Sequence, residues 1–439
     1  MRILIVDDDQ PKRSRVSQLV GQGLKDYAVQ IKEAATYEEA LRTLQESYYD
    51  LVILDLLLPA ADGTPSQDSS RALIRQVTNG TGLLPPMHII GLTAYEAVAD
   101  QERVYFDQHL LSLEFYSPVH TKWADKITSK IIYLMQSQHA SMRFQAESYG
   151  IDVFVLAARH QNEYLPIRKK LFKDSKVETH PMWKGDITRG EIELHDGRVL
   201  SAALCCVNEM GMAPTAVVAS QAINVFRPKL LGMIGMCCGF NTKACVSPRR
   251  IMDVIVAREV TCWEEGKYVD RSKDQRDFQN RGKTRVVNEL IRDNVEMIIE
   301  QSERTITPAL TRLSKKAFFK KVQDHFNAAV EEEVVRDLPD VKYAPIVSGS
   351  SVIADDKMVQ EILARHTSAI GLDMELFGLY TAADKAYGKR PSVLGVKGVA
   401  DFGKASKDDN AQEAASIVAT EVFKSILQDL DIFKGAGPG

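Results

Sequence analysis

The sequence lacks an apolar run of the length that spans a membrane, and it contains no Cys-x-x-Cys pair. Four of its six cysteines form the adjacent pairs Cys205-Cys206 and Cys237-Cys238. Neighbouring strand residues point to opposite faces, so such pairs are poor frameworks for a metal or a disulfide. The composition instead indicates buried thiols in a reducing compartment. The aspartates at positions 7–9 also argue against a signal peptide, and we expect a cytoplasmic protein that does not contact a membrane.

An excess of positive charge is missing as well. The 55 lysines and arginines are balanced by 59 aspartates and glutamates, which gives a net charge of −4. The C-terminal part of the chain has no helix-turn-helix pattern and no basic recognition helix. These absences argue against a transcription factor and against nucleic acid as a partner.

At 439 residues the chain is longer than one ordinary domain, and two domains are predicted. We place the first domain at residues 1–135, a connector at 136–150 and the second domain at 151–432. An insertion is predicted at about 264–344, and the small residues of the tail, 433–439, are expected to be disordered.

Short apolar runs alternate with helical patterns through the first domain. This alternation predicts an α/β fold with a doubly wound parallel sheet. The predicted strands are Arg2–Val6, Val29–Glu33, Leu51–Leu54 and Met87–Leu92, and the predicted helices are Val16–Leu24, Tyr37–Glu46 and Lys122–Met142.

Acidic and hydroxyl residues follow the ends of these strands. Asp7 and Asp8 come after the first strand, Asp55 follows Leu51–Leu54, and Thr93 follows the strand at Met87–Leu92. Clustered carboxylates are costly without a cation, and Mg²⁺ prefers oxygen ligands. The pattern predicts a metal-assisted phospho-acceptor site. The alternative is a helix-capping aspartate run and an unrelated turn aspartate.

With these residues in place, the first domain resembles a response-regulator receiver domain, whose fold is the flavodoxin-like doubly wound sheet. The resemblance implies that Asp55 accepts the phosphoryl group, that Thr93 is the switch hydroxyl, and that Asp7, Asp8 and Asp55 bind Mg²⁺. It also implies a sensor histidine kinase or phosphotransfer protein as partner. One departure is Ser117, which stands before Pro118 where receivers carry a lysine. Either Lys122 substitutes for that lysine or the switch chemistry is altered.

In the second domain, apolar strands end on turns of small residues or on acids. The apolar run Val393–Val396 leads to Asp401, which places a carboxylate at the carboxyl edge of a predicted parallel sheet, where such sheets bind ligands. Small-residue turns let a ligand approach the backbone closely. The ordered set of signals is Glu163 after a strand, Gly235-x-x-x-Gly239, Ser348-Gly349, Met374-Glu375 and Val399-Ala400-Asp401.

This ordered set resembles the purine nucleoside phosphorylase/nucleosidase superfamily, an α/β/α fold, and within it the hydrolytic branch. The resemblance implies that Asp401 protonates the purine leaving group and that Glu375 holds the ribose hydroxyls above Met374. Glu163 would orient or deprotonate the attacking water. A homo-oligomer and no cofactor for the cleavage are also implied. The base and sugar would further contact Ser348, Gly349, Val352, Ile353, Gly239 and Phe240.

Two points about the substrate stay open in the sequence. Val352 stands where the family places an aromatic residue against adenine, so stacking is expected from Phe240 or Trp263. A carboxylate at Glu163 repels phosphate and favours hydrolysis, but Arg159 and Arg168 leave phosphorolysis open.

The predicted insertion is rich in arginine and lysine. Arg271 and Arg276 are expected to bind a 5′-polyphosphate, because guanidinium groups bind phosphates well. Interspersed aspartates make a solvated charged loop the alternative, and Arg249-Arg250 are rival phosphate ligands.

A receiver followed by a nucleosidase resembles the effectors of Detocs-type anti-phage two-component systems. The resemblance implies a phosphorylation-controlled enzyme that hydrolyses ATP, and dATP or ADP, to adenine and ribose 5′-triphosphate, which depletes ATP in an infected cell. The alternatives are a nucleosidase or phosphorylase acting on AMP or a small purine nucleoside, and an adaptor that binds a nucleotide without cleaving it.

Overall fold

The computed structural model of the protein describes residues 1–59, 65–79, 82–109, 111–272, 275–328, 334–404 and 409–434. The chain divides into two compact units, Met1–Phe144 and Gln145–Gly439. The division falls within the predicted connector, and a single long helix, Lys122–Glu147, runs across it.

The strands of the first unit are β1 (Arg2–Val6), β2 (Gln30–Ala34), β3 (Leu51–Leu54), β6 (His88–Thr93) and β7 (Ser112–Phe115), with the two-residue pair β4 (Leu58–Pro59) and β5 (Pro65–Ser66). The five longer strands form a parallel sheet in the order β2-β1-β3-β6-β7. Its helices are α1 (Gln10–Gly23), α2 (Tyr37–Glu46), α3 (Gln67–Thr78), α4 (Glu96–Gln108) and α5 (Lys122–Glu147).

Both faces of this sheet are covered. Leu4 and Val6 of β1 lie in one core, whereas Ile3 and Ile5 lie in another, because successive side chains of a strand point to opposite faces. A strand buried on both sides is an unbroken apolar run, which is what the sequence shows. The prediction of a doubly wound parallel sheet is confirmed.

The second unit contains one large mixed sheet and a separate hairpin. The strands of the large sheet are β8 (Ile151–Ala157), β9 (Ser175–His180), β10 (Trp183–Glu193), β11 (Val199–Cys206), β12 (Pro228–Gly239), β13 (Val254–Cys262), β16 (Thr284–Val286), β17 (Val341–Ser348), β18 (Gly371–Asp373) and β19 (Ser392–Asp401). The hairpin pairs β14 (Gly266–Ser272) with β15 (Gln275–Asn280).

Five of these strands close into a ring in the order β12-β18-β17-β13-β19. The remaining path β8-β11-β10-β9 extends outward from β12. The strand β12 continues to Gly239, because Cys238 and Gly239 pair with β18 after Leu230–Cys238 have paired with β19.

Helices pack around this sheet: α6 (Leu165–Leu171), α7 (Met212–Phe226), α8 (Glu289–Glu300), α9 (Ile306–Ser314), α10 (Ala317–Asn327), α11 (Asp356–Arg365), α12 (Leu376–Asp384) and α13 (Gln412–Asp429). Most residues of α13 are buried, and its Phe423 packs against Gly232 of β12. None of the described helices is both long and apolar enough to cross a bilayer.

The predicted insertion at 264–344 contains β14–β16 and α8–α10. Residues 329–333 of the insertion lie outside the described residues. The same holds for residues 435–439 of the predicted tail, whereas Phe433 is buried in a short 3₁₀ turn at Asp431–Phe433.

We predict that Leu427→Ala lowers the free energy of unfolding by about 2–5 kcal/mol, because Leu427 of α13 is fully buried and the truncation leaves a cavity. Leu290→Ala is the matched control on α8, since 67% of Leu290 is exposed, and it should change stability by no more than about 0.5 kcal/mol. Urea unfolding of both variants measures the difference, and equal losses would contradict this account of the core.

Candidate functional site

The carboxylate of Asp401 is placed by a bulge at the end of β19. The pairing of β19 with β12 runs regularly to Val399 opposite Cys237, and then Asp401 stands opposite Cys238. The extra residue, Ala400, turns the following side chain, as bulges near ligand sites do. The backbone N–H of Gly403, a residue with a left-handed φ of +66°, donates to the Asp401 carboxylate at 2.9 Å.

Asp401 lines a cavity of about 270 Å³ in the second unit. Glu163, Met374 and Glu375 line the same cavity, as do Val352 and Ile353. The three predicted acids therefore share one cavity. The other lining residues are Ala158, Arg159, Met210, Met236, Cys237, Cys238, Ser351, Leu372, Asp373 and Gln412.

Glu163 lies in a π-helical turn, His160–Tyr164, that follows β8. Its carboxylate accepts three backbone N–H donors: Ala158 at 2.7 Å, Arg159 at 2.9 Å and Met236 at 2.9 Å. Such bonds fix the position of the carboxylate. Gly235 allows the approach, because a Cβ there would lie 2.2 Å from the Glu163 Oε1 atom.

Glu375 is held by a buried ammonium group. Lys397, in the middle of β19, is fully buried, and its Nζ lies 3.1 Å from Glu375 Oε2 and 3.3 Å from Asp373 Oδ2. The other Glu375 oxygen, Oε1, faces the backbone N–H of Gly211 at 3.4 Å. The lysine compensates two buried carboxylates that would be costly without it.

Burial raises the pKa of Glu375, and the Lys397 ammonium opposes that rise. For Lys397 itself, burial lowers the pKa, but Glu375 and Asp373 together bring it above its ordinary value. The lysine is therefore charged, and it stabilises the ionised form of the glutamate that borders the cavity.

Asp373 connects this ion pair to the neighbouring backbone. It accepts the N–H groups of Glu375 at 3.1 Å and Leu376 at 2.9 Å, and it accepts a short hydrogen bond from the Ser348 hydroxyl. Ser348 in turn accepts the N–H of Phe377 at 3.1 Å. These bonds fix the turn that carries Met374 and Glu375.

A second acidic cluster lies in the first unit, at the carboxyl edge of its sheet. Carboxylate oxygens of Asp7, Asp8 and Asp55 lie within 4.8 Å of one another. Three oxygen donors at this spacing fit Mg²⁺, which these residues would hold. Thr93, the last residue of β6, is fully buried, and its hydroxyl accepts the backbone N–H of Tyr95 at 3.2 Å.

An ammonium group also reaches this cluster. Lys12 Nζ lies 2.9 Å from Asp7 Oδ2 and 3.0 Å from Asp55 Oδ1. Burial raises the pKa of Asp7 to about 6, with Asp55 adding to the rise and Lys12 opposing it. Burial likewise raises the pKa of Asp55 against the effect of Lys12. By contrast, the Lys122 side chain is exposed.

Two family models match the chain. Residues 3–108 match the response regulator receiver domain, and residues 154–430 match the phosphorylase superfamily. The chain belongs to the phosphorylase superfamily. It is a receiver domain fused to a phosphorylase-superfamily domain, as the sequence predicted.

Among relatives of this superfamily protein, the uncharacterized protein y4jS of Sinorhizobium fredii (strain NBRC 101917 / NGR234) is 27% identical over 96% of this chain and 97% of its own length. The ATP nucleosidase Cap17 of Escherichia coli (strain KTE188) is 22% identical over 54% of this chain and 43% of its own length. The chain thus spans less than half of that second relative.

Solved structures that resemble the superfamily domain cover about two thirds of the chain. The 5′-methylthioadenosine/S-adenosylhomocysteine nucleosidase of Neisseria meningitidis covers 64% of this chain and 99% of its own, with 14% identity and a TM-score of 0.44. The futalosine hydrolase of Helicobacter pylori covers 64% and 99%, with 12% identity and a TM-score of 0.42.

Several residues predicted for the phosphorylase-superfamily site are not among the described residues that line the cavity. Ser348 and Phe240 are fully buried, and Gly349 packs against Trp263. Gly239 pairs with Gly371 within the sheet, and neither it nor Trp263 is among the described lining residues. The side chains of Arg271 and Arg276 lie outside the described part of the chain.

Arg249, a rival phosphate ligand, already has partners. It is 2% exposed, and its Nη1 donates to Asp340 at 2.8 Å while its other guanidinium nitrogens bond Ser247. This network indicates a structural arginine.

Sequence reasoning missed Lys397 and Lys12. Lys397 had a signal, since a lone lysine in the apolar strand SVLGVKGVAD is unusual unless it is paired. Lys12 had none, because a lysine in the first turn of an amphipathic helix is ordinarily solvated.

We predict that Gly235→Ala destabilises the protein because its Cβ displaces the Glu163 carboxylate. In a Glu163→Ala background the same glycine substitution should cost less, with a coupling of about 1–2 kcal/mol in a double-mutant cycle. Urea unfolding of the four proteins measures this coupling, and additive losses would contradict the contact.

We predict that Lys397→Met costs about 3–5 kcal/mol near neutral pH, because Asp373 and Glu375 lose their buried cation. Without it the pKa of Glu375 rises further. A carboxyl group with a raised folded-state pKa stabilises the fold below its unfolded pKa and loses that effect as pH rises through the folded value. The loss in the free energy of unfolding caused by Lys397→Met should therefore be smaller at acidic pH.

Unfolding measured between pH 5 and pH 8 tests this pH dependence. Lys385→Met, which removes a lysine that is 70% exposed, is the control and should leave stability nearly unchanged. A Lys397→Met deficit that stays constant with pH would contradict the ion-pair account.

Proposed function

We propose that the phosphorylase-superfamily domain hydrolyses the N-glycosidic bond of a purine nucleotide, with ATP as its substrate, under the control of the receiver domain. The observation that carries the proposal is the convergence of Glu163, Glu375 and Asp401 on one cavity. A purine leaving group needs a proton, the ribosyl cation needs negative charge beside it, and the nucleophile needs orientation. The three acids are assigned to these tasks.

Asp401 is the general acid of the proposal. It is partly buried at the end of β19, with one oxygen fixed by the Gly403 N–H. A carboxylic acid at hydrogen-bonding distance from the purine can donate a proton as the glycosidic bond breaks, which contributes about 10²–10⁴-fold to such reactions.

Glu375 is assigned to the ribose hydroxyls and to the cationic sugar. Lys397 Nζ lies 3.1 Å from one carboxylate oxygen, which fixes the orientation of the group and opposes the rise of its pKa on burial. A negative charge that is already fixed in place stabilises an oxocarbenium-like transition state more than a charge that must be reoriented. Lys397 is a positioning residue, because it acts through Glu375. Met374 lies on the same turn and would pack beneath the sugar.

Glu163 is assigned to the attacking water. Its two oxygens are fixed by three backbone donors, so the remaining lone pairs point in defined directions. A buried carboxylate in the cavity also repels a phosphate nucleophile, which favours hydrolysis over phosphorolysis. Arg159 lines the same cavity, so the products must be used to distinguish the two reactions.

ATP as substrate, with dATP or ADP as further substrates, is supported by two points. The relative Cap17 is an ATP nucleosidase, and the chain couples its superfamily domain to a receiver. Arg271 and Arg276 remain the proposed 5′-phosphate ligands. In this proposal a sensor histidine kinase phosphorylates Asp55 with Mg²⁺ at the acidic cluster, and ATP depletion serves anti-phage defence. A homo-oligomer is proposed as well.

The test is product analysis of the full-length protein incubated with ATP, Mg²⁺ and acetyl phosphate. We predict free adenine and ribose 5′-triphosphate, with Asp401→Asn at least about 10²-fold slower because it cannot donate the proton. Asp356→Asn, which removes an exposed acid from the first turn of α11, is the control and should keep wild-type activity.

The other outcomes separate the alternatives. Adenine released only from AMP or adenosine contradicts ATP as substrate, and a phosphorylated sugar C1 in the product contradicts hydrolysis. A protein that binds ATP without releasing adenine, with or without acetyl phosphate, contradicts the enzyme and favours the adaptor.

A further inference from the structure

Lys12 is an unusual residue for its position in the chain. It lies in the first turn of α1, five residues after Asp7, yet its side chain is only 5% exposed. The positive end of a helix dipole lies at the N-terminus, where cations are disfavoured. A buried ammonium ion at that end therefore needs strong compensation from other groups.

The compensation comes from three acceptors. Nζ contacts Asp7 Oδ2 at 2.9 Å, Asp55 Oδ1 at 3.0 Å and the backbone carbonyl of Leu92 at 3.2 Å. An ammonium group has three N–H donors, so this set satisfies all of them. The ring of Tyr116 lies below the same nitrogen, with its centroid at 5.6 Å.

The local sequence positions this side chain. Asp9 caps α1 by accepting the Lys12 backbone N–H at 3.3 Å, and Pro11 stands in the first turn. The cap starts the helix immediately after the strand that delivers Asp7. Lys12 consequently projects over the sheet edge where β1, β3 and β6 end together.

The other candidates for a cation at Asp55 do not fill this role. Ser117 is uncharged, and its hydroxyl accepts the N–H groups of Val119 at 3.2 Å and His120 at 3.4 Å. Lys122 is exposed to solvent. Lys12 is the lysine with direct contact to the Asp55 carboxylate among the described ion pairs.

We propose that Lys12 is the cation of the phosphorylation site, holding the Asp55 carboxylate before phosphorylation and binding the phosphoryl oxygens afterwards. This role rests on the proposed phosphorylation of Asp55. In this proposal α1 supplies, through Lys12, the positive charge that Ser117 lacks. Lys12 thereby takes the place of Lys122, the lysine that the sequence offered as a substitute.

The group transfer itself needs no further reactant. With acetyl phosphate, an oxygen of Asp55 forms a bond to phosphorus, and the bond from phosphorus to the acetate oxygen breaks. Acetate leaves with the electron pair, and no proton is consumed. The modified side chain carries more negative charge than the carboxylate did, and a charge-assisted hydrogen bond from Lys12 compensates it.

Lys12 also couples the site to the backbone and to the metal. Its bond to Leu92 holds the residue before Thr93, so a shift of Nζ towards a phosphoryl group acts on the end of β6. Since the ammonium already compensates Asp7 and Asp55, Mg²⁺ must compete with it for the same carboxylates. Removal of the ammonium should thus strengthen Mg²⁺ binding and slow phosphorylation.

The test compares full-length wild type, Lys12→Met and the matched control Lys122→Met. Calorimetric titration with Mg²⁺ alone should show binding at least about tenfold tighter in Lys12→Met, because a nearby positive charge is gone. Intact mass measured over time with acetyl phosphate and saturating Mg²⁺ should show Asp55 phosphorylation at least about tenfold slower in that variant. Lys122→Met should match wild type in both measurements.

If Lys12→Met does not fold, the same two measurements are made with Lys12→Arg and its control Lys122→Arg. Slower phosphorylation in the first variant alone supports the role, because an arginine fork does not reproduce the three ammonium contacts. A Lys12 variant that folds and matches wild type in Mg²⁺ affinity and phosphorylation rate overturns it.

The wild-type arm separates this proposal from the proposed function. A wild type that gains no phosphoryl group at Asp55 overturns receiver phosphorylation together with the role of Lys12. A wild type that is labelled at Asp55, with Lys12 variants labelled equally fast, overturns the role of Lys12 alone.

Discussion

The structure of the phosphorylase-superfamily domain depends on one buried ammonium ion. Lys397 sits in the middle of a strand, inaccessible to solvent, and an unpaired charge there would be prohibitively costly. Its two partners, Asp373 and Glu375, come from the end of β18 and the turn after it. The ring of strands brings these segments to β19, so closure of the sheet and compensation of the charge require each other. The same closure places Glu375 beside the cavity that Asp401 borders.

The receiver domain uses a related arrangement with a different consequence. There, Lys12 again lies between two carboxylates, but at the edge of a sheet and beside Asp8, which is exposed. The Lys397 cluster is enclosed by backbone donors and by Ser348, which favours a fixed geometry. The Lys12 cluster is open on the side of the exposed Asp8, and in the proposed phosphorylation its ammonium contacts exchange for a metal ion or a phosphoryl group. One lysine–carboxylate cluster is thus enclosed, whereas the other borders solvent.

In the candidate active site, the carboxylates of Glu163 and Asp401 are positioned in two different ways. Glu163 is held by backbone N–H groups that follow β8 and by one within β12, and this is possible because Gly235 has no side chain. A carboxylate held in this way needs little reorganisation when a polar transition state forms. Asp401 is treated differently, since a bulge and a glycine turn position it at the cavity while leaving it partly exposed.

The sequence by itself determined several of the strands and helices and the acids at strand ends, because apolar runs and their terminating residues are local patterns. It also placed Asp7, Asp8 and Asp55 together, since parallel strands end at a common edge. Tertiary structure decided the pairing of Lys397 with Glu375, of Lys12 with Asp55, and of Gly235 with Glu163. Tertiary structure also decided that the Ser348 hydroxyl donates to Asp373, and Ser348 is not among the described residues that line the cavity. These contacts join residues from separate segments, and they depend on strand order and on a one-residue bulge, which no local periodicity encodes.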